Sequence, residues 1–163
     1  MTEKDKLKEE FIMNFGHAYK TFGLSKLIGH VVALLIFSTK PVSLEEIAKQ
    51  LNRSKGPISQ IAGRLRDKKL IRRVWQPTSR KDFYEIEPEV FENAFRNSID
   101  LNRNNIKIAE HFLSEIDNRK VEDLGILETR LKEMHGFYNL MEKHYQNFLD
   151  EWQIERKKIY NKQ

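Results

Sequence analysis

The sequence predicts a mainly α-helical fold carrying one small β-hairpin, and three observations support that expectation. Seven glycines and four prolines punctuate 163 residues, few breaks for a chain built of many short strands. Apolar residues recur at three- and four-residue spacings through most of the length, the period of a helix with one buried face. Only two short runs, Leu70–Trp75 and Asp82–Ile86, are rich in strand formers, and they flank a loop holding Pro77 and Ser79.

Composition bounds the function classes. Hydrophobic residues make up 39% of the chain and aromatics 10%, enough for a packed core and unlike a disordered tail. The absence of cysteine excludes a disulfide scaffold, a thiolate metal site and cysteine catalysis. The length suits one domain, or a compact domain with a helical arm.

The first ten residues, from Met1 to Glu10, mix both charges and precede no cleavable apolar run, unlike a signal peptide. The longest apolar stretch, Ile28–Phe37, contains Gly29 and His30 and is far short of the ~20 residues that cross a bilayer. A soluble, cytoplasmic protein without a membrane partner is expected.

From residue 41 the helical signals sharpen. Ser43 and Glu46 have the spacing of a capping box, in which each side chain would serve the other's backbone N–H. Leu44, Ile47, Ala48 and Leu51 then share one face, and the helix should stop at Asn52-Arg53. Ser54 is placed to cap a second helix that tolerates Pro57 in its first turn. Ile58, Ile61, Ala62 and Leu65 repeat the same apolar spacing. Two short helices joined by a tight turn and followed by a hairpin describe a winged helix-turn-helix.

Charge is concentrated in this segment. The chain's net charge is only +5, but residues 52–81 carry ten Lys and Arg against Asp67 alone, a local net of +9. Clustered cations of this density suit a polyanion. The polar face of the second helix has Lys55, Gly56, Ser59, Gln60, Gly63 and Arg64, with no acidic residue between Ser54 and Leu65. Small residues among long donors let a backbone approach a duplex closely while Gln60 and Arg64 reach base edges or phosphates. Double-stranded DNA is the expected partner. Ser54, Lys55, Gly56, Pro57, Ser59, Gln60 and Arg64 form the candidate reading surface, and Arg72, Arg80 and Lys81 the candidate wing contacts. Of Phe83 and Tyr84, which alternate along the second strand, one should pack inward.

The run from Ser43 to Ser59, with Arg72-Arg73-Val74-Trp75 and Ser79-Arg80-Lys81-Asp82-Phe83-Tyr84 after it, resembles the MarR superfamily of transcriptional regulators. Within that superfamily it is most similar to the GbsR-type branch. The glycine-punctuated segments Phe11–Gly16 and Gly23–His30 resemble the same branch, which commonly begins with such a pair of helices. Pro57 stands where a small polar residue is typical. The likeness spans about residues 8–87 and implies a regulator, most commonly a repressor that occludes a promoter.

Residues 88–163 contain proline only at Pro88 and glycine only at Gly125 and Gly136. Phe91, Phe95, Ile99, Ile106, Ala109, Leu113 and Ile116 mark one long helix, with a break expected at Asp117–Lys120. Leu124, Leu127, Leu131, Met134, Tyr138, Met141, Tyr145, Phe148 and Trp152 then alternate by threes and fours, as in a coiled-coil seam. This stripe is the candidate dimerisation surface; the alternative is a monomeric bundle packed on Ile28–Phe37. The chain accordingly divides into a winged helix-turn-helix with N-terminal helices, 1–87, and a helical dimerisation arm, 88–163. A two-fold dimer would set two reading helices about 34 Å apart, one per half-site of a pseudo-palindrome.

The aromatics of the stripe could cage a quaternary ammonium, and some GbsR-type regulators are associated with choline and glycine-betaine metabolism. The plainer reading is that they are core; a small-molecule effector stays open. His17, His30, His111, His135 and His144 lack metal-ligand spacing, and no nucleophile or phosphate-loop motif occurs. No enzyme activity, cofactor or metal is expected. The rival to a sequence-specific homodimeric regulator is a winged helix used as a protein- or RNA-interaction module.

Overall fold

The computed structural model describes residues 1–162. The chain forms two compact units, Met1–Ala94 and the segment from Phe95 onward. Element order is α1 (Glu3–Thr21), α2 (Lys26–Phe37), β1 (Val42–Ser43), α3 (Leu44–Gln50), α4 (Lys55–Asp67), β2 (Ile71–Val74), β3 (Phe83–Ile86), α5 (Val90–Arg119) and α6 (Gly125–Tyr160). This is a winged helix-turn-helix, mainly α with a three-stranded antiparallel sheet.

The apolar run of α2 is the spine of the first unit. Val31 to Leu35 are at most 1% exposed, and Ile47, Ile58, Ala62 and Ile71 complete the fully enclosed layer around them. A helix that is apolar all round belongs in such a position. One edge of the spine is covered by α1, whose Phe11, Phe15 and Tyr19 rings run in series with centroids 4.8 and 6.2 Å apart. The helices cross where Gly29 faces Phe15: a Cβ built on Gly29 would sit 2.6 Å from the Phe15 carbonyl oxygen. Gly16 leaves the corresponding space for the His30 ring.

Four helices end in the same way. After α3, Asn52 takes φ 51° and the Arg53 N–H donates to the Ala48 carbonyl at 2.8 Å. After α4, Lys69 takes φ 57° and the Leu70 N–H donates to Leu65 at 2.9 Å. Gly23 after α1 and Lys120 after α5 repeat the pattern, with Leu24 donating to Tyr19 and Val121 to Ile116. These are Schellman terminations, in which one left-handed residue turns the chain out of the helix. The turn of the helix-turn-helix is therefore a helix stop, with asparagine at the position that tolerates φ > 0 best after glycine.

Sequence and structure differ at several points. The hairpin of β2 and β3 pairs Ile71 with Ile86 and Val74 with Phe83, as expected of a wing. A third strand, β1, adds to its other edge by pairing Val42 with Tyr84. Tyr84 is the wing aromatic that packs inward, at 6% exposure. The capping box at α3 is half formed: Ser43 accepts from the Glu46 N–H at 3.2 Å, but Glu46 turns its carboxylate to Gln50. Ser54 has cap geometry without a side-chain cap bond. The break between the long helices falls at residues 120–124 rather than 117–120, where Lys120 and Asp123 both take positive φ.

In the second unit, α5 and α6 form an antiparallel hairpin. Arg103 donates to Glu142 at 2.7 Å, Asn102 to the Tyr145 hydroxyl at 3.0 Å, and His135 lies 3.0 Å from Glu110. The Phe95 ring meets Tyr145 edge-on at 4.9 Å and Phe148 at 4.8 Å. No described helix is long and apolar enough to cross a membrane.

Candidate nucleic-acid interface

The candidate reading surface starts from the two-sidedness of α4. Ile58, Ile61, Ala62 and Leu65 are buried against α2 and α3. That fixes the rotation of the helix and turns Ser54, Lys55, Gly56, Pro57, Ser59, Gln60 and Arg64 to solvent, all of them exposed. All seven candidate residues are thus open to solvent, with Lys55, Ser59, Gln60 and Arg64 turned away from the buried stripe, and no carboxylate lies between Ser54 and Leu65.

The glycines on this helix have no packing reason to be small. A Cβ on Gly56 or Gly63 would meet nothing within 4 Å. Each weakens the helix by about 0.5–1 kcal/mol relative to alanine.

Two candidate cations are held by carboxylates. Lys55 donates to Glu45 of α3 at 3.0 Å. Glu45 is held below its ordinary range, first by its own backbone N–H and then by Lys55. On the wing, Arg72 pairs with Glu85 directly across the strands, at 2.6 Å from Nε. Arg73 pairs with Asp82. Such exposed pairs are weak, worth about 0–1 kcal/mol, so a phosphate can displace the carboxylate.

Arg80 and Lys81 are exposed at the wing tip, as are Gln60 and Arg64 on α4. The tip loop is shaped by two turn bonds, Ser79 N–H to the Gln76 carbonyl at 3.2 Å and Lys81 N–H to the Ser79 hydroxyl at 3.1 Å. Sequence reasoning passed over Trp75, which adjoins these cations and is 79% exposed. Its position directly after a strand rich in arginine was the available signal.

The candidate dimerisation stripe is shared between two environments. Leu131 is buried, and Tyr145 contacts Phe95 and Asn102 of α5 within the same chain. Leu124, Met134, Tyr138, Met141 and Trp152 are half-buried, while Leu127 and Phe148 are 44% and 53% exposed. Leu149, outside the expected stripe, is buried as deeply as any residue of α6. Part of the seam is thus intramolecular. Among the described residues no group of three or more His, Asp and Glu is placed to hold a metal ion.

No family model matches the chain. It is 23% identical over 158 residues to YvaV of Bacillus subtilis (strain 168), named as an HTH-type transcriptional regulator, with 88% of each chain covered. It is 25% identical over 117 residues to the HTH-type transcriptional repressor OpcR of the same organism, covering 72% of this chain and 63% of that one. Among solved structures, a crystal structure of a transcriptional regulator superposes with TM-score 0.77 at 23% identity, over 90% of this chain and 97% of the other. That likeness establishes the fold along nearly the whole length.

Proposed function

We propose that the protein is a cytoplasmic, DNA-binding transcriptional regulator that acts as a homodimer on a pseudo-palindromic operator. One observation carries the reading: α4 turns an exposed face of Lys55, Ser59, Gln60 and Arg64, with two unpacked glycines and no acid, away from its core. A basic, acid-free helix face beside a basic wing matches the backbone and the base edges of a duplex. The names of the relatives in B. subtilis point the same way. Membership of the MarR superfamily, nearest its GbsR-type branch, and action as a repressor are what the resemblance of residues 43–59, 72–75 and 79–84 implies.

Residues 1–87 act in this reading as the reader and 88–163 as the dimerisation arm. The α5–α6 hairpin leaves Leu101, Ile108, Phe112, Phe137, Leu140 and Phe148 between 39% and 70% exposed. The pairs Arg103–Glu142 and Glu110–His135 set a register that brings Ile108 level with Phe137, on the same flank of the hairpin. An apolar flank of this length would be covered by a second copy, with the outer part of the stripe, Leu127, Met134, Met141 and Phe148, at its margin.

Binding-site selection from random duplexes tests the reading. Enrichment of an inverted repeat, with affinity falling steeply as salt rises, is expected. Arg64→Ala combined with Gln60→Ala should abolish the preference; retained selectivity would remove α4 as the reader. Binding of RNA or a protein, with no duplex preference, would support the interaction-module reading instead.

A further inference from the structure

We propose that Trp75 contacts nucleic acid directly, its indole packing against the sugar and base edges of the groove that the wing enters. The inference rests on the DNA-binding reading and adds an apolar contact to the charged and hydrogen-bonding ones of α4 and the wing.

Trp75 lies one residue beyond β2, where the ladder ends with Val74 opposite Phe83. It is 79% exposed, whereas the other tryptophan, Trp152, is partly buried. An indole left in water contributes almost nothing to folding, since its large apolar area stays hydrated. Its surroundings are specific. With Arg73, Val74, Ser79, Arg80 and Lys81 it lines a shallow open cavity of about 510 Å³. Among the described residues no acidic side chain lines this hollow, although Asp82 pairs with Arg73 at its edge.

The chemistry of the occupant follows from that lining. Cations at the rim suit phosphates spaced along a strand, while an aromatic face between them suits a sugar or an unstacked base edge. A protein partner would need acidic residues flanking an apolar anchor; a duplex presents both features at every step. The wing loop also belongs to the same exposed region as α4 in sequence and charge, within the +9 segment 52–81. Arg80 and Lys81 would hold the phosphates on either side of the groove, and Trp75 would fill the groove between them.

The chain's two tryptophans make the contact measurable. In Trp152→Phe the remaining indole is Trp75, and its emission is followed while a selected duplex is added and binding is recorded independently by anisotropy of labelled DNA. Quenching with a blue shift that saturates with binding is expected. Trp75→Ala should weaken the selected duplex by about 10- to 100-fold, and Trp75→Phe by much less. Because no charge is lost, the slope of log affinity against log salt should be unchanged in Trp75→Ala. Arg80→Ala and Lys81→Ala should each reduce that slope by about one. Equal thermal midpoints for wild type and Trp75→Ala establish that the fold is intact. Full affinity in Trp75→Ala together with unchanged emission overturns the inference while leaving DNA binding standing. Absence of any duplex binding by the wild type overturns the DNA reading and this contact with it.

Discussion

Replacing Gly29 by alanine tests whether the α1–α2 crossing depends on backbone-to-backbone approach. A Cβ at residue 29 would lie 2.6 Å from the Phe15 carbonyl oxygen, 2.9 Å from its carbon and 3.0 Å from the Gly16 Cα. All three neighbours are backbone, so no rotamer change can make room, and the helices must move apart by several tenths of an ångström. Overpacking of this kind costs about 1–3 kcal/mol. Alanine returns about 1 kcal/mol through its better helix propensity. The separation also loosens the Phe11 and Phe15 rings that seal the α2 spine, so a net destabilisation of about 1–2 kcal/mol is expected, a fall in melting temperature of roughly 2–8 °C. Urea unfolding followed by circular dichroism measures it, with an unchanged slope and a lower midpoint. Gly63→Ala is the matched control. It makes the same chemical change in a helix where a Cβ meets nothing within 4 Å, and should stabilise by about 0.5–1 kcal/mol. If Gly29→Ala is as stable as Gly63→Ala, the close-crossing argument is wrong.

Gly56→Ala should raise thermal stability slightly and weaken duplex binding several-fold in electrophoretic titration; a gain in both would mean that the backbone of α4 does not approach DNA. Lys69→Gly relieves a left-handed lysine at the end of α4 and should stabilise by about 0.5–1 kcal/mol in urea, whereas a loss would show that the lysine side chain matters more than its backbone. The His30 ring fills the space left by Gly16, its Nε2 is enclosed without a hydrogen-bond partner, and burial, reinforced by Arg53, Lys26 and His17, holds its pKa below the ordinary 6.5. The unfolded chain then binds this proton more readily than the folded one, so the stability linked to His30 is present above pH 6.5 and is lost as pH falls through the folded value. Melting temperatures between pH 7.5 and 5 should fall more in the wild type than in His30→Gln; parallel curves would contradict the assignment.

The helix-turn-helix was legible because its signals are local. Ile58, Ile61, Ala62 and Leu65 determine by spacing alone which side of α4 faces inward, and the opposite face follows from it. The stop at Asn52 was legible because few residues take a left-handed conformation at low cost. Strand β1 was not, since two residues carry no period and Val42–Ser43 become a strand only when β3 offers its free edge. The pairs Arg72–Glu85 and Arg73–Asp82 depend on a hairpin register that composition does not encode. The stripe from Leu124 to Trp152 was visible as a stripe, but a period does not say whether its partner is another chain or the preceding helix.

By itself, then, the sequence determined what nearest-neighbour chemistry controls: helix faces, helix ends, and the concentration of cations in residues 52–81. Tertiary structure decided which carboxylates Lys55, Arg72 and Arg73 meet, that Trp75 stands in water, and how much of the α6 stripe is consumed within the chain by Phe95 and Asn102. The physical reason is range. Periodicity and capping act within one or two helical turns. Ion-pair partners, groove linings and seam occupancy are set by contacts between segments far apart in the chain, such as Asn102 and Tyr145, 43 positions apart.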